Sequence, residues 1–226
     1  MNHTLTEAEI WSAADDQRRR LVALLETLTP DEWSKPSLCR EWSVRDVVGH
    51  LIWQSDTPSA ASLPRILLAL ARARGDMNRL ISGQARLWAQ RRSDAELLHD
   101  ARGLIGHHRP IIGTPPINNL LDTIVHHQDI ALPLHRGLAA DPIAARAAAQ
   151  EMWRQPKGFT LPVTVRLSAF RWRATDIDWD RGDGPLVEGP ITAILCALMG
   201  RLPAFDHLTG AGKHAARSAV GPCPQG

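Results

Sequence analysis

Asp122 and His126 stand four residues apart in the stretch Asn119-Leu120-Leu121-Asp122-Thr123-Ile124-Val125-His126-His127-Gln128-Asp129-Ile130. Read as a helix, that stretch gathers Leu120, Leu121, Ile124 and Val125 on one apolar face. Side chains at i and i+4 leave the same side of a helix. A carboxylate and an imidazole spaced this way can therefore share one divalent ion, as the two histidines of H-E-x-x-H do. The same spacing also describes a plain surface hydrogen bond. A metal needs a third ligand, and the candidate is His50 in Val47-Val48-Gly49-His50-Leu51.

Histidine, aspartate and histidine leave coordination positions for water or substrate, the open arrangement of a catalytic metal. Zinc suits these donors best, and Fe²⁺, Ni²⁺ and Mn²⁺ accept the same ligand types. Such an ion could lower the pKa of a thiol or a water, or polarise a carbonyl. Asp129, one further pair of turns along, is placed to orient a ligand from behind; an ordinary aspartate in a last helical turn is the competing reading. His127 should point about 100° away, and His107 and His108 fall in a loop. Cys39 lies ahead of the His50 helix, where a thiol is either a nucleophile near a helix N-terminus or a small buried filler.

The elements that must position these groups are mostly helical. Thr6-Glu7-Ala8-Glu9 has the form of a capping box, followed by a helical apolar period to about Leu28. Thr29-Pro30-Asp31-Glu32 starts a short turn. Ser43-Val44-Arg45-Asp46 opens a helix whose stripe is Val44, Val47, Val48, Leu51 and Ile52. His50 lies on the flank of that stripe, where a histidine either enters a gap between helices or stands in solvent. Leu63 to Arg92 reads as helix with a break near Gly75, with apolar groups at Ile66, Leu67 and Leu70 and at Leu80, Ile81, Leu87 and Trp88. Ser93-Asp94-Ala95-Glu96 opens another helix to about Leu104.

These helices predict a bundle over residues 1–137. After Gly137 the character changes. A helix runs from Ile143 to Trp153, and residues 166–173 then alternate Phe170 and Trp172 with arginines, as a half-buried strand would. A second strand is expected over 174–180, a turn at Arg181-Gly182-Asp183-Gly184-Pro185, and a return strand at Leu186-Val187-Glu188. An apolar helix from Ile191 to Met199 ends at Gly200. The second module thus spans 138–212, and the tail over 213–226 is expected to be disordered.

Composition narrows the function. The 226 residues carry a formal net charge of +2, which gives a nucleic-acid partner no electrostatic support. No apolar run is long enough to span a membrane. The 3 cysteines are scattered, which points to a reducing, cytoplasmic setting without a disulfide framework. The chain contains no tyrosine, which removes one common general acid. No Gly-rich phosphate loop, nucleophile elbow or zinc-finger spacing is present. Asp176-Ile177-Asp178-Trp179-Asp180 lacks EF-hand spacing and reads as a hairpin with solvated charges.

Taken together, Leu28-Thr29-Pro30-Asp31-Glu32-Trp33, Pro36-Ser37-Leu38-Cys39 and Trp42-Ser43-Val44-Arg45-Asp46-Val47-Val48-Gly49-His50-Leu51 resemble the N-terminal domain of the mycothiol-dependent maleylpyruvate isomerase family. Asp122 to Ile130 with Pro133-Leu134 resembles its second signature. Ala174-Thr175-Asp176, Trp179, Gly182-Asp183-Gly184, Gly189-Pro190 and Gly200-Arg201 resemble its C-terminal module. The resemblance implies a DinB-like four-helix bundle followed by a small α/β domain similar to sterol carrier proteins. It implies a divalent metal, usually taken as zinc, held at the positions of His50, Asp122 and His126, the family having glutamate where this chain has Asp122. It further implies mycothiol as thiol cosubstrate and a small electrophile or carboxylate as substrate. Arg201 matches a family position and could bind a substrate carboxylate or serve as an ion-pair partner.

The leading expectation is thus a metal-dependent, thiol-using enzyme, either a cis–trans isomerase or a thiol transferase. A metal-dependent hydrolase on the same site and a non-catalytic metal-binding stress-response module are the alternatives. A homodimer through the bundle faces is compatible with the sequence.

Overall fold

A computed structural model of the chain describes residues 4–55, 74–111, 113–138, 140–154 and 162–221. The first helix, α1 (Glu7–Leu25), starts as its residues require: Thr6 Oγ1 accepts from the Glu9 amide, and the Glu9 carboxylate accepts from the Thr6 amide at 2.7 Å. A second capping box, Thr29 with Glu32, opens the one-turn α2 (Pro30–Trp33). Helix α3 (Val44–Ser55) carries His50 and starts where the Ser43 amide donates to Asp46 at 2.8 Å. Next come α4 (Met77–Gln90), α5 (Asp94–Arg102) with its Ser93–Glu96 capping box, and α6 (Ile117–Ala131), which carries Asp122 and His126. The predicted apolar group at Ile66, Leu67 and Leu70 lies outside the described residues.

Helix α6 is the axis of the molecule. It packs against α1, against α3 and against α7 (Pro142–Arg154), so nearly its whole surface is covered. Leu120, Leu121, Ile124 and Val125 are buried as the sequence predicts, but so are Thr123, His126, His127, Gln128 and Asp129. A helix surrounded on all sides must give each of its polar groups a protein partner. Those partners make the site.

Helix α3 crosses α4 closely because Gly49 has no side chain: a Cβ there would lie 2.6 Å from the Ala85 carbonyl oxygen. Trp33, Trp42, Val47, Val48, Leu97 and Ile130 belong to one apolar cluster in this half. A second cluster runs from Trp11, Leu120 and Ile124 through α7 into the C-terminal part of the chain. The packing is therefore continuous across Gly137, and the first strand does not begin until Arg171.

The C-terminal part contains a three-stranded sheet of β1 (Arg171–Ala174), β2 (Asp180–Arg181) and β3 (Leu186–Gly189), in the order β2-β1-β3. Strand β1 is antiparallel to β2 and parallel to β3, with Trp172 beside Arg181 and Val187. Three expectations need correction. The predicted strand over 166–173 begins at Arg171, because Pro162–Leu167 forms a helix, α8, with Val163 and Leu167 buried one turn apart. The predicted strand over 174–180 shortens to Asp180–Arg181: the Asp176 carboxylate accepts from the Ile191 amide at 2.9 Å, and the chain bends to reach it. The tail expected to be disordered instead forms a helix, α10 (Lys213–Ala219), with Ala216 and Val220 buried. Arg166 fastens its end, donating to the Ala219 and Val220 carbonyls at 2.7 Å each. Residues 222–226 lie outside the described part.

The apolar helix α9 (Ile191–Leu198) is wholly buried. Gly200, at φ 84°, ends it in the left-handed conformation, with its own amide on the Ala197 carbonyl and the Arg201 amide on the Cys196 carbonyl. A 3₁₀ segment follows at Leu202–His207. The reversal at Gly200 is what sends Arg201 back toward α6.

Candidate metal centre

The three predicted ligands converge. His126 Nε2 lies 3.3 Å from Asp122 Oδ1, and His50 Nε2 lies 3.8 Å from Asp122 Oδ2. Donor atoms of all three residues lie within 4.8 Å of one another. Donors about 2.1 Å from a tetrahedral ion stand about 3.4 Å apart, so each of the two histidine–carboxylate separations is within a few tenths of an ångström of that spacing. The Gln54 side-chain amide also donates to Asp122 Oδ2, one turn along from His50. Both imidazoles are walled by Trp42, whose ring centroid is 5.1 Å from that of His50 and 6.2 Å from that of His126.

The buried groups of this cluster shift one another strongly. Burial opposes charge on His126, but the Asp122 carboxylate, aided by Cys39 and Asp129, outweighs it and holds the imidazole well above the ordinary histidine range. Burial likewise opposes charge on Asp122, and His126 and His50 outweigh it, holding the carboxylate well below its usual range. His50 is pushed down by burial, despite Asp122, and its Nδ1 is buried with no hydrogen-bond partner among the described residues. A neutral histidine beside an ionised carboxylate is the protonation state in which both serve as ligands.

Behind this cluster is a second layer. His126 Nδ1 lies 2.9 Å from Asp129 Oδ2. Asp129 is 0% exposed and receives Arg201 on both oxygens, Nε to Oδ1 at 2.9 Å and an Nη to Oδ2 at 2.8 Å. The Cys39 thiol donates to Asp129 Oδ2 at 3.1 Å and lies 3.6 Å from His126 Nδ1. Its loop is fixed to the end of α6 by the Leu38 amide, which donates to the Asp129 carbonyl at 3.0 Å. Burial foremost, then the charge of Asp129, pushes the Cys39 thiol upward. Cys39, His126 and Asp129 also bring donor atoms within 4.8 Å of one another. There, however, the Arg201 guanidinium already supplies the positive charge that Asp129 faces.

The other histidines go elsewhere. His127 Nδ1 is 2.8 Å from Gln17 Nε2, on the α1 side of the helix. His107 Nε2 is 2.9 Å from the Ser55 carbonyl oxygen. His108 stacks on Trp11 and pairs with Asp15 at 2.8 Å. Sequence reasoning missed Gln54 and the wall made by Trp42. Gln54 had a signal, standing one turn after His50 on the same helix; Trp42 had none beyond its place before the helix.

The chain is a helical bundle that brings two histidines and a carboxylate together, a group able to hold a metal ion, and is continued by a small mixed-sheet module. Residues 14–109 match the family described as Mycothiol maleylpyruvate isomerase N-terminal domain, a span that includes His50 and stops before Asp122. Two crystal structures of the mycothiol-dependent maleylpyruvate isomerase, one of them a histidine-to-alanine mutant, share the fold over nearly the whole chain. Their TM-scores are 0.57 and 0.56 at 14% and 15% identity, covering 92% of this chain and 94% of theirs. No curated protein matches the sequence. The resemblance read from the motifs is thus borne out by the family match and by the shared fold. Among the described residues no helix is long and apolar enough to cross a membrane.

Proposed function

We propose that this protein is a divalent-metal enzyme that uses a low-molecular-weight thiol, mycothiol, on a small electrophilic substrate. The observation that carries this reading is the convergence of His50, Asp122 and His126, drawn from two helices, to within 4.8 Å. The match of residues 14–109 to the isomerase family's N-terminal domain supports the choice of thiol chemistry.

His50, Asp122 and His126 would hold the ion, zinc being the best fit to imidazole and carboxylate donors. When bound, such an ion supplies a Lewis-acid position at which a thiol ionises near neutral pH. Asp122 contributes the negative charge of the ligand set, and Gln54 fixes which way its carboxylate faces. Trp42 closes one wall against water. In an isomerisation, the cosubstrate thiolate adds to one carbon of a cis double bond and a proton goes to the carbonyl oxygen of the resulting enolate. The former double bond rotates as a single bond, and loss of the same thiolate and proton leaves the trans product. A thiol transfer stops after addition, once the enol returns to the keto form.

A hydrolase on the same donors and a non-catalytic metal-binding module are the competing functions, and one experiment separates all three. The zinc- or cobalt-loaded protein is given maleylpyruvate, with and without mycothiol, and the products are followed by absorbance and chromatography. Turnover that requires the thiol supports the proposal. Loss of substrate by cleavage without thiol supports the hydrolase, and stable metal loading without turnover of either kind supports the binding module.

A further inference from the structure

Arg201 comes from the turn after α9, 72 residues along the chain from Asp129, yet its guanidinium donates two hydrogen bonds to the Asp129 carboxylate. Both carboxylate oxygens are engaged, and a third guanidinium nitrogen donates to the Met199 carbonyl at 2.8 Å. Arg201 is therefore fixed at both ends, by its own turn and by α6. Asp129 in turn meets the one nitrogen of His126 that faces away from Asp122.

We propose that Arg201 is a positioning residue for the metal ligand His126, acting through Asp129, so that the C-terminal part of the chain takes part in assembling the metal centre. This inference rests on the metal-site reading above. Asp129 can act on His126 through its orientation and its tautomer. A histidine ligand whose far nitrogen donates to a carboxylate is held in one tautomer, with its ring fixed and its coordinating nitrogen free of a proton. That works only while the carboxylate itself cannot rotate. Asp129 is a short side chain in a fully buried position, and two parallel hydrogen bonds from a planar guanidinium lock its plane as a single point charge could not. The Cys39 thiol adds a third donor to the same oxygen that His126 uses.

By linkage, an ion that is held better when Arg201 is docked must also strengthen that docking. The chain thereby couples metal retention to the seating of the turn at Gly200.

The test is a chelator-competition titration with Co²⁺ on the full-length apoprotein, comparing wild type, Asp129→Ala, Arg201→Lys and the double variant Asp129→Ala/Arg201→Met. Arg201→Lys keeps the buried charge balance, and the double variant removes both charges together, so each should keep the fold; thermal unfolding checks this. Wild type should bind one Co²⁺ per chain. Asp129→Ala should bind about 10–100-fold more weakly, the usual cost of losing a ligand's outer partner. Arg201→Lys should lose several-fold, and the double variant should be no weaker than Asp129→Ala alone. Wild-type affinity in both Asp129→Ala and Arg201→Lys overturns the relay while leaving the metal site standing. A further tenfold loss in the double variant also overturns it, since Arg201 would then act by another route. Failure of wild type to bind Co²⁺ at all overturns the site and the relay together.

Discussion

His126 and His127 are neighbours on one helix, and both are buried, yet they sit in opposite kinds of surroundings. His126 faces Asp122, Asp129 and Cys39, and is held well above the ordinary histidine range despite its burial. His127 faces Gln17 across the α1 interface, and burial, helped by the charge of Arg20, pushes it down to about 4. The residue type is the same and the difference is one step of about 100° around the helix. One side of α6 gathers charge around donor atoms; the other satisfies a neutral imidazole within a core. A histidine in this molecule is a ligand candidate because of what its neighbours carry, and burial by itself says little.

Truncating either histidine should separate the two faces of α6. His126→Ala should lower the bound divalent metal by at least tenfold, while His127→Ala should leave the metal content per folded chain at the wild-type value; elemental analysis of the purified proteins reads both. Equal losses would mean that the two faces are not distinct. Stability should also separate them. Arg201→Met leaves the buried Asp129 charge without its guanidinium and should cost about 3–5 kcal/mol. Gln17→Leu removes a neutral partner and should cost about 1–3 kcal/mol. Urea unfolding of the apoproteins measures the two.

Acid should act through His127 in a defined direction. Its value in the folded protein is about 4, against about 6.5 in an unfolded chain. Between those values the unfolded state binds more protons, so the contribution of His127 to stability is present above about pH 6.5 and is lost as pH falls toward 4. The loss across that window should approach about 3 kcal/mol. Urea unfolding at a series of pH values should show that much less acid sensitivity in His127→Asn than in wild type; parallel pH profiles would contradict it. An effect of the same size as that of Gln17→Leu is expected where the His50 helix approaches its neighbour. Gly49→Ala should cost about 1–3 kcal/mol, because the added methyl meets the Ala85 carbonyl and must push the helices apart. A variant as stable as wild type would show that this crossing tolerates the added group.

What could be read from the sequence follows from the range over which each interaction acts. Asp122 and His126 were legible because i, i+4 spacing is local and the helix enforces it. The capping boxes at Thr6 and Ser93 were legible for the same reason. His50 was legible only as a candidate: whether it faces α6 depends on how α3 crosses its neighbours, and residue types give no crossing geometry. The pairing of Arg201 with Asp129 was further from reach, since packing of the C-terminal part against α6 creates it. The strand expected at 166–173 fails at its first half because Val163 and Leu167 bury at a helical spacing that begins before the alternating pattern does. The helix in the tail has little local signal because its buried residues, Ala216 and Val220, are few and small, and Arg166, which fastens its end, lies 53 and 54 residues away from the carbonyls it holds.

The central claim is that His50, Asp122 and His126 hold one divalent ion. It is tested most directly by a crystal structure of the cobalt-loaded protein, with anomalous differences collected at the cobalt edge. A single peak per chain is expected, with His50 Nε2, a carboxylate oxygen of Asp122 and His126 Nε2 each about 2.0–2.2 Å away. No peak among these residues, or a peak held by other side chains, would contradict it.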